Sequence, residues 1–337
     1  MQKSISHNIE NINMTRITNI DDLLFPVELT PVYTEIKIQG VTKKLEVPNH
    51  RIVVNQTTGT ALGVVSDNYE LISNKKAIEL GKKCCIELFG EVEANNIEVF
   101  NVDAPSTASY CHIDLVHNAY IQNLYDEKKK SDIYIPYVRI TNSYNTLRAL
   151  RFDIGLCRKL CLNGMIFESE TIRFTFSHVK HEFKGDISFA VEEGKIKKLI
   201  DKFFTYTNKL KDQYISIDRS FDIVRILFGI RDITEIELAD KRQSKQEYEA
   251  LLAEIDNKLT KYCIELGDNS YALFNTITDL ASHPIKNRYF RRDMNSMQRL
   301  AGNWINSFNK AIEKPDFKID TYIKELSASS NQAIELD

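Results

Sequence analysis

The 337-residue chain carries 44 basic and 47 acidic residues, a formal charge of −3, so it lacks the overall basic excess that marks a protein coating itself with nucleic acid. Hydrophobic residues at 43% and charged residues at 27% suit a globular chain with a sizeable core, and six cysteines are too few for a disulfide scaffold at this length. No run approaches the roughly 18 apolar residues of a membrane span, and the start MQKSISHNIENINM has no apolar leader segment, which together suggest a soluble cytoplasmic protein with no membrane partner and with reduced thiols.

Residues 1–30 are polar and weakly patterned, ending near Pro26 and Pro31, and read as a flexible or loosely docked arm. From Val32 the apolar period becomes two. TEIKIQG, KKLEVPN, HRIVVNQ and ALGVVSDNYELI are short β-branched runs punctuated by Gly40, Pro48 and Gly59. Thr57-Thr58-Gly59-Thr60 has the composition of a hairpin turn, with Gly59 at the position needing positive φ. Ser73 or Asn74 then caps a helix through NKKAIELGKKCCIELFG, closed by Gly90. Its apolar stripe is Ala77, Ile78, Leu80, Cys84, Cys85 and Leu88. Strands resume in NNIEVFNV, SYCHIDLVHN, IYIPYVRITNSY and SETIRFTFSH, while LRALRFDIGLCRKLCLNG reads as helix-like, with Cys157 and Cys161 one turn apart. Beyond residue 186 the grammar is helical, and SASSNQAIELD closes the chain as a polar tail.

The expected fold is α+β: an antiparallel β-meander braced by a helix in the N-terminal half, and a helical C-terminal half. The expected divisions are an arm at 1–30, a β-rich core at 31–185, a helical region at 186–318 and a tail at 319–337.

Motifs for catalysis are missing. There is no nucleophile elbow, phosphate loop or dinucleotide fingerprint, and no C-x-x-C or H-E-x-x-H metal spacing. His112 and His117 fall on opposite faces of one strand, His178 and His181 sit where a strand meets a charged loop, and Glu192-Glu193 reads as a solvated helix face. No catalytic residue, metal or cofactor is therefore expected, and a non-enzyme is favoured. Local charge says more. Arg139, Arg148, Arg151, Arg158 and Lys159 face only Asp153 between residues 139 and 161, interleaved with Tyr137 and Tyr144. Lys286, Arg288, Arg291, Arg292 and Arg299 face only Asp293, beside Tyr289 and Phe290. Guanidinium forks suit phosphates and rings stack on unpaired bases, the mixture that single-stranded nucleic acid requires.

Three blocks carry a family resemblance. LGVVSDNYELISNKKAIEL, ITNSYNTLRALRFDIGLCRKLCLNGMI and NSYALFNTITDLASHP with QRLAGNWI resemble the signature of the phage- and plasmid-related domain of unknown function 932. The matching residues are Leu62, Gly63, Val65, Ser66, Asp67, Tyr69 and Asn74, then Asn142, Ser143, Cys161 and Asn163, then Asn275, Thr278 and His283; Tyr144-Asn145 replaces the glycine usual after the serine turn. That family has no settled activity, so the resemblance supplies a mobile-element (bacteriophage or plasmid) setting and no catalytic residue. The meander and helix also resemble phage single-strand annealing proteins, at the level of fold alone.

The functional expectation that follows is non-catalytic binding or annealing of single-stranded DNA, as in recombination, by a homo-oligomer. Arg139, Arg148, Arg151, Arg158 and Lys159 would hold phosphates, Tyr137 and Tyr144 would stack bases, and Arg288, Arg291 and Arg292 would extend the track. The alternative is a factor that binds a host or phage protein and modulates its process. A metal-dependent nuclease ranks third, for want of converging acids.

Overall fold

A computed structural model describes residues 16–90, 96–118, 134–158, 163–166, 172–180, 187–189, 191, 194–230, 242–287, 289–290 and 293–334. The class is α+β, with antiparallel strands and one long helix in the N-terminal half and mostly helices in the C-terminal half. Two compact units interleave along the chain: Met1–Tyr120, Val138–Asp153 and Arg173–Ala190 form the first; Ile121–Tyr137, Ile154–Ile172 and Val191–Asp337 form the second.

The strands form two antiparallel sheets. Strands β2 (Val27–Ile38), β3 (Val41–Asn55) and β4 (Ala61–Ser66) form one, in that order. The turn into β4 has Gly59 at φ 71°, and Asn55 Oδ1 accepts from the amides of Thr57 (2.8 Å) and Thr58 (3.3 Å), so the expected hairpin forms by Asx chemistry. The base of this sheet packs through Val53, Leu62 and Val65 onto Tyr69 and Tyr144. In the second sheet β1 (Arg16–Ile17), β5 (Ile97–Pro105), β6 (Tyr110–His117), β7 (Tyr134–Ser143), β8 (Leu150–Arg158) and β10 (Arg173–Phe176) lie in the order β1-β5-β6-β7-β8-β10. Helix α1 (Asn74–Phe89) is capped by Ser73, whose hydroxyl accepts from the Lys76 amide at 3.2 Å, and ends at Gly90 with φ 102°. Gly81 lets it lie close on the sheet: a Cβ there would meet Ile140 Cδ1 at 2.4 Å and Leu115 Cδ1 at 2.9 Å.

The second unit is built around α5 (Ser270–Ser282), with α2 (Lys195–Asp212), α4 (Arg242–Leu266), α6 (Met294–Ile312) and β9 (Asn163–Ile166) packed on it. Every residue from Ser270 to Ala281 is buried, as a helix surrounded on all sides requires. Two of its polar side chains turn back on their own backbone: Asn275 Nδ2 donates to Tyr271 O (2.8 Å) and Thr276 Oγ1 to Ala272 O (3.0 Å). Trp304 of α6 stacks on Phe308 at 4.8 Å, and Phe308 meets Tyr322 edge-on at 5.1 Å. Tyr322 belongs to α7 (Ile319–Ile334), which itself packs on α3 (Ile217–Leu227).

Three local expectations need correction. Residues 16–30 are docked rather than an arm: β1 pairs with β5, Arg16 bonds Asp103, and Leu23 is fully buried. Residues 319–334 form a helix rather than a tail, anchored by Tyr322. The helix-like stretch around Cys157 is strand β8, so Cys157 is a packed strand residue; Cys161 lies outside the described residues. Cys84, Cys85 and Cys111 are buried free cysteines, and Cys263 is a partly buried one.

Candidate functional site

Most of the middle basic and aromatic residues point inward. Arg139, on β7, is fully buried and forks onto Asp114 of β6, with Nε and Nη2 each 2.6 Å from a carboxylate oxygen. Arg158 is 3% exposed and donates to Glu265 at 3.1 Å. Tyr137 is buried against Gly155 and donates to Met165 O at 3.2 Å. Tyr144 is buried, and its hydroxyl accepts from the Asn74 amide at 3.0 Å. These four side chains are therefore structural, contrary to the phosphate-holding and base-stacking roles expected of them: a guanidinium neutralised inside a sheet is not offered to a ligand. Arg148 is half-buried with its guanidinium 4.5 Å over the Tyr110 ring, and Arg151 is half-buried on β8. Lys159, Arg288, Arg291 and Arg292 lie outside the described residues.

The family-signature residues of the first unit explain one another. Tyr69 Oη donates to Ser143 O at 2.6 Å. Asn142 Nδ2 donates to Ile72 O and to Asn74 Oδ1, both at 2.9 Å, and Cys111 Sγ donates to the same Asn74 oxygen at 3.3 Å. Asn74 Nδ2 in turn donates to Leu23 O at 3.0 Å. Gly63 has no room for a side chain, because a Cβ would stand 2.4 Å from Tyr144 O. This network joins the turn after β4 to the end of β7, and burial within it pushes the Cys111 thiol up to about 12, far from a reactive thiolate. The histidines considered as ligands serve the fold as well: His112 sits 2.9 Å from Thr141 Oγ1, His117 3.1 Å from Gly90 O, and His178 stacks on Tyr69 at 4.9 Å; His181 lies outside the described residues.

A different arrangement stands at the C-terminal end of α5. Asp279 is buried, and three groups converge on it: Lys258 Nζ at 3.1 Å, Tyr262 Oη at 3.1 Å and His283 Nδ1 at 3.0 Å. Lys258 and Tyr262 are one turn apart on α4, and Asp279 and His283 one turn apart at the end of α5, so two i,i+4 pairs meet. Burial pushes the Asp279 carboxyl up, but the His283 hydrogen bond and the Lys258 charge outweigh it and hold the group below the usual carboxylate value. An ionised carboxylate only accepts, so His283 donates from Nδ1 and keeps Nε2 for another partner. The His283 side chain is 52% exposed. A ring fixed at one nitrogen and open at the other can hydrogen-bond an anion or lie against a base. Lys286 is exposed just beyond it, and the acid of that basic segment, Asp293, caps α6 by accepting from Ser296 N (3.0 Å) and Ser296 Oγ (2.6 Å).

His283 was already visible as a signature residue. Lys258, Tyr262 and Asp279 were missed; their i,i+4 spacings were available, but nothing in the sequence says which helix faces which. Among the described residues no group of His, Cys, Asp and Glu side chains could hold a metal ion, and no helix is long and apolar enough to cross a membrane.

No curated protein and no solved structure matches the chain. The model of a protein family described as domain of unknown function, DUF932, matches residues 61–304, more than half of the chain and the span that holds both the buried network and the Asp279 cluster, and the chain belongs to that family.

Proposed function

We propose that the chain is a non-catalytic nucleic-acid-binding protein that prefers single strands, with its contact centred on the segment from His283 to Arg292. The observation that carries the reading is the anchored His283 imidazole, half exposed on the buried Asp279, at the head of a run containing Lys286, Arg288, Arg291 and Arg292. The basic groups suit phosphates, and the fixed ring suits stacking on an unpaired base. The proposal narrows the track drawn from sequence to its C-terminal half, because Arg139, Arg158, Tyr137 and Tyr144 are occupied inside the fold. Fluorescence anisotropy with single- and double-stranded oligonucleotides at two salt concentrations tests it. The expected result is tighter binding of the single strand, weakening steeply with salt as counterions are released. Salt-insensitive binding, or none, contradicts it.

A protein-binding role is the second reading, favoured by one specific observation: Ile38, Val41 and Leu45 of the β2–β3 hairpin lie exposed together. It predicts no affinity for oligonucleotides in the same titration.

A further inference from the structure

Strand β4 covers β3 only from His50 to Val54, so Tyr33–Ile38 and Val41–Glu46 continue as a two-stranded ribbon. Tyr33, Ile38, Val41 and Leu45 are all 44% exposed or more, which leaves both faces open. Strand β2 ends the sheet order, so its outer edge is unpaired among the described residues. Open edges with apolar side chains invite another strand.

The chemistry of that edge selects the strand. Gln39 (φ 51°) and Gly40 (φ 81°) form a two-residue turn with both φ values positive, the primed type that fits a tight hairpin. Such a turn closes on a hydrogen-bonded pair, here Ile38 with Val41. Ladder bonds alternate, so Ile36 and Thr34 also bond inward to Lys43 and Leu45, while Tyr33, Glu35 and Lys37 present their backbone groups outward. An antiparallel partner must pair outward residue with outward residue. For β2 against its own copy this allows two-fold centres at Thr34, Glu35, Ile36 or Lys37. Centring on Glu35 or Lys37 sets that charge against itself, and centring on Thr34 sets Tyr33 against Glu35 and Pro31 against Lys37. Centring on Ile36 sets Glu35 opposite Lys37 of the second copy, Lys37 opposite its Glu35, and Ile36 against its equivalent. Opposite charges directly across a ladder stabilise it and like charges oppose it.

We propose that the outer edge of β2 is a self-association surface, taking β2 of a second copy antiparallel about a two-fold axis at Ile36. An edge this short buries less than the roughly 1,200 Å² of a stable interface, so the dimer is weak and concentration dependent. It is independent of the nucleic-acid reading, since every residue involved belongs to the ribbon.

Sedimentation equilibrium of the full chain up to high-micromolar concentration tests it, with circular dichroism confirming that each variant folds. Wild type should show a monomer–dimer equilibrium. Glu35→Lys places like charges opposite each other twice and should weaken the dimer about tenfold. Adding Lys37→Glu reverses both partners and should restore it. Lys37→Pro removes an outward N–H without touching a β2–β3 bond, and should abolish association while the ribbon stays folded. A wild type that stays monomeric throughout overturns the proposal, as does a dimer indifferent to Glu35→Lys or one that the double reversal fails to restore.

Discussion

The β2–β3 ribbon and strand β7 are composed alike, from β-branched residues, tyrosines and basic groups, yet they end up in opposite environments. Every residue of β7 is buried, and its Arg139 is sealed onto Asp114. Ribbon residues Tyr33 to Glu46 are almost all exposed, and Lys44 merely rests 4.5 Å over the Tyr33 ring. The difference is neighbours. β7 lies between β6 and β8 in the middle of a sheet, whereas the ribbon runs past the end of β4. A basic residue in a strand is thus a surface group or a core group according to what pairs beside it, and composition alone does not say which.

The comparison breaks most visibly at Arg139. Arg139→Ala strands Asp114 as an uncompensated buried charge and should cost about 3–5 kcal/mol in urea unfolding. Replacing both partners with apolar residues of similar volume should recover much of the loss. Gly63→Ala probes where the three-stranded sheet stops being free: at its base the added methyl would strike the Tyr144 carbonyl, and a loss of about 1–3 kcal/mol is expected. Asp279→Asn carries the comparison to the second unit. A carboxyl held below its usual value stabilises the fold above the unfolded value and loses that contribution as pH falls through the folded one. The advantage of wild type over Asp279→Asn should therefore be full at neutral pH and shrink below about pH 3.9. A gap that is constant with pH would show that the Lys258 and His283 contacts are not electrostatic. At the exposed extreme, Val41→Thr should change stability by no more than about 0.5 kcal/mol.

Where the local pattern decides the structure, the sequence was legible. Period-two runs marked the strand character of β2 to β4, Gly59 marked a turn, and Ser73 and Gly90 marked the ends of α1; the break expected at Pro48 is absent, since β3 runs through it from Val41 to Asn55, and β2 begins at Val27, inside the expected arm. Strand β8 was misread because nearly all of Leu150–Arg158 is buried on both faces, which erases the alternation and leaves only a spacing that also fits a helix. Helix α7 was hidden by its serines; the ring of Tyr322 packs among Phe308 and Phe317. The site was less legible still. Asp114 reaches Arg139 by strand pairing, and Lys258 with Tyr262 reaches Asp279 by helix packing. Both are long-range facts that spacing does not encode.

The central proposal is that the basic residues of the middle segment serve the fold and those after α5 meet the ligand. Anisotropy titration of one single-stranded oligonucleotide at matched salt, with Lys286→Ala, Arg291→Ala and Arg292→Ala combined set against Arg148→Ala plus Arg151→Ala, tests it most directly. The account predicts that the triple variant loses affinity about tenfold or more while the double variant binds as wild type does. The reverse pattern, or equal losses in both, would contradict it.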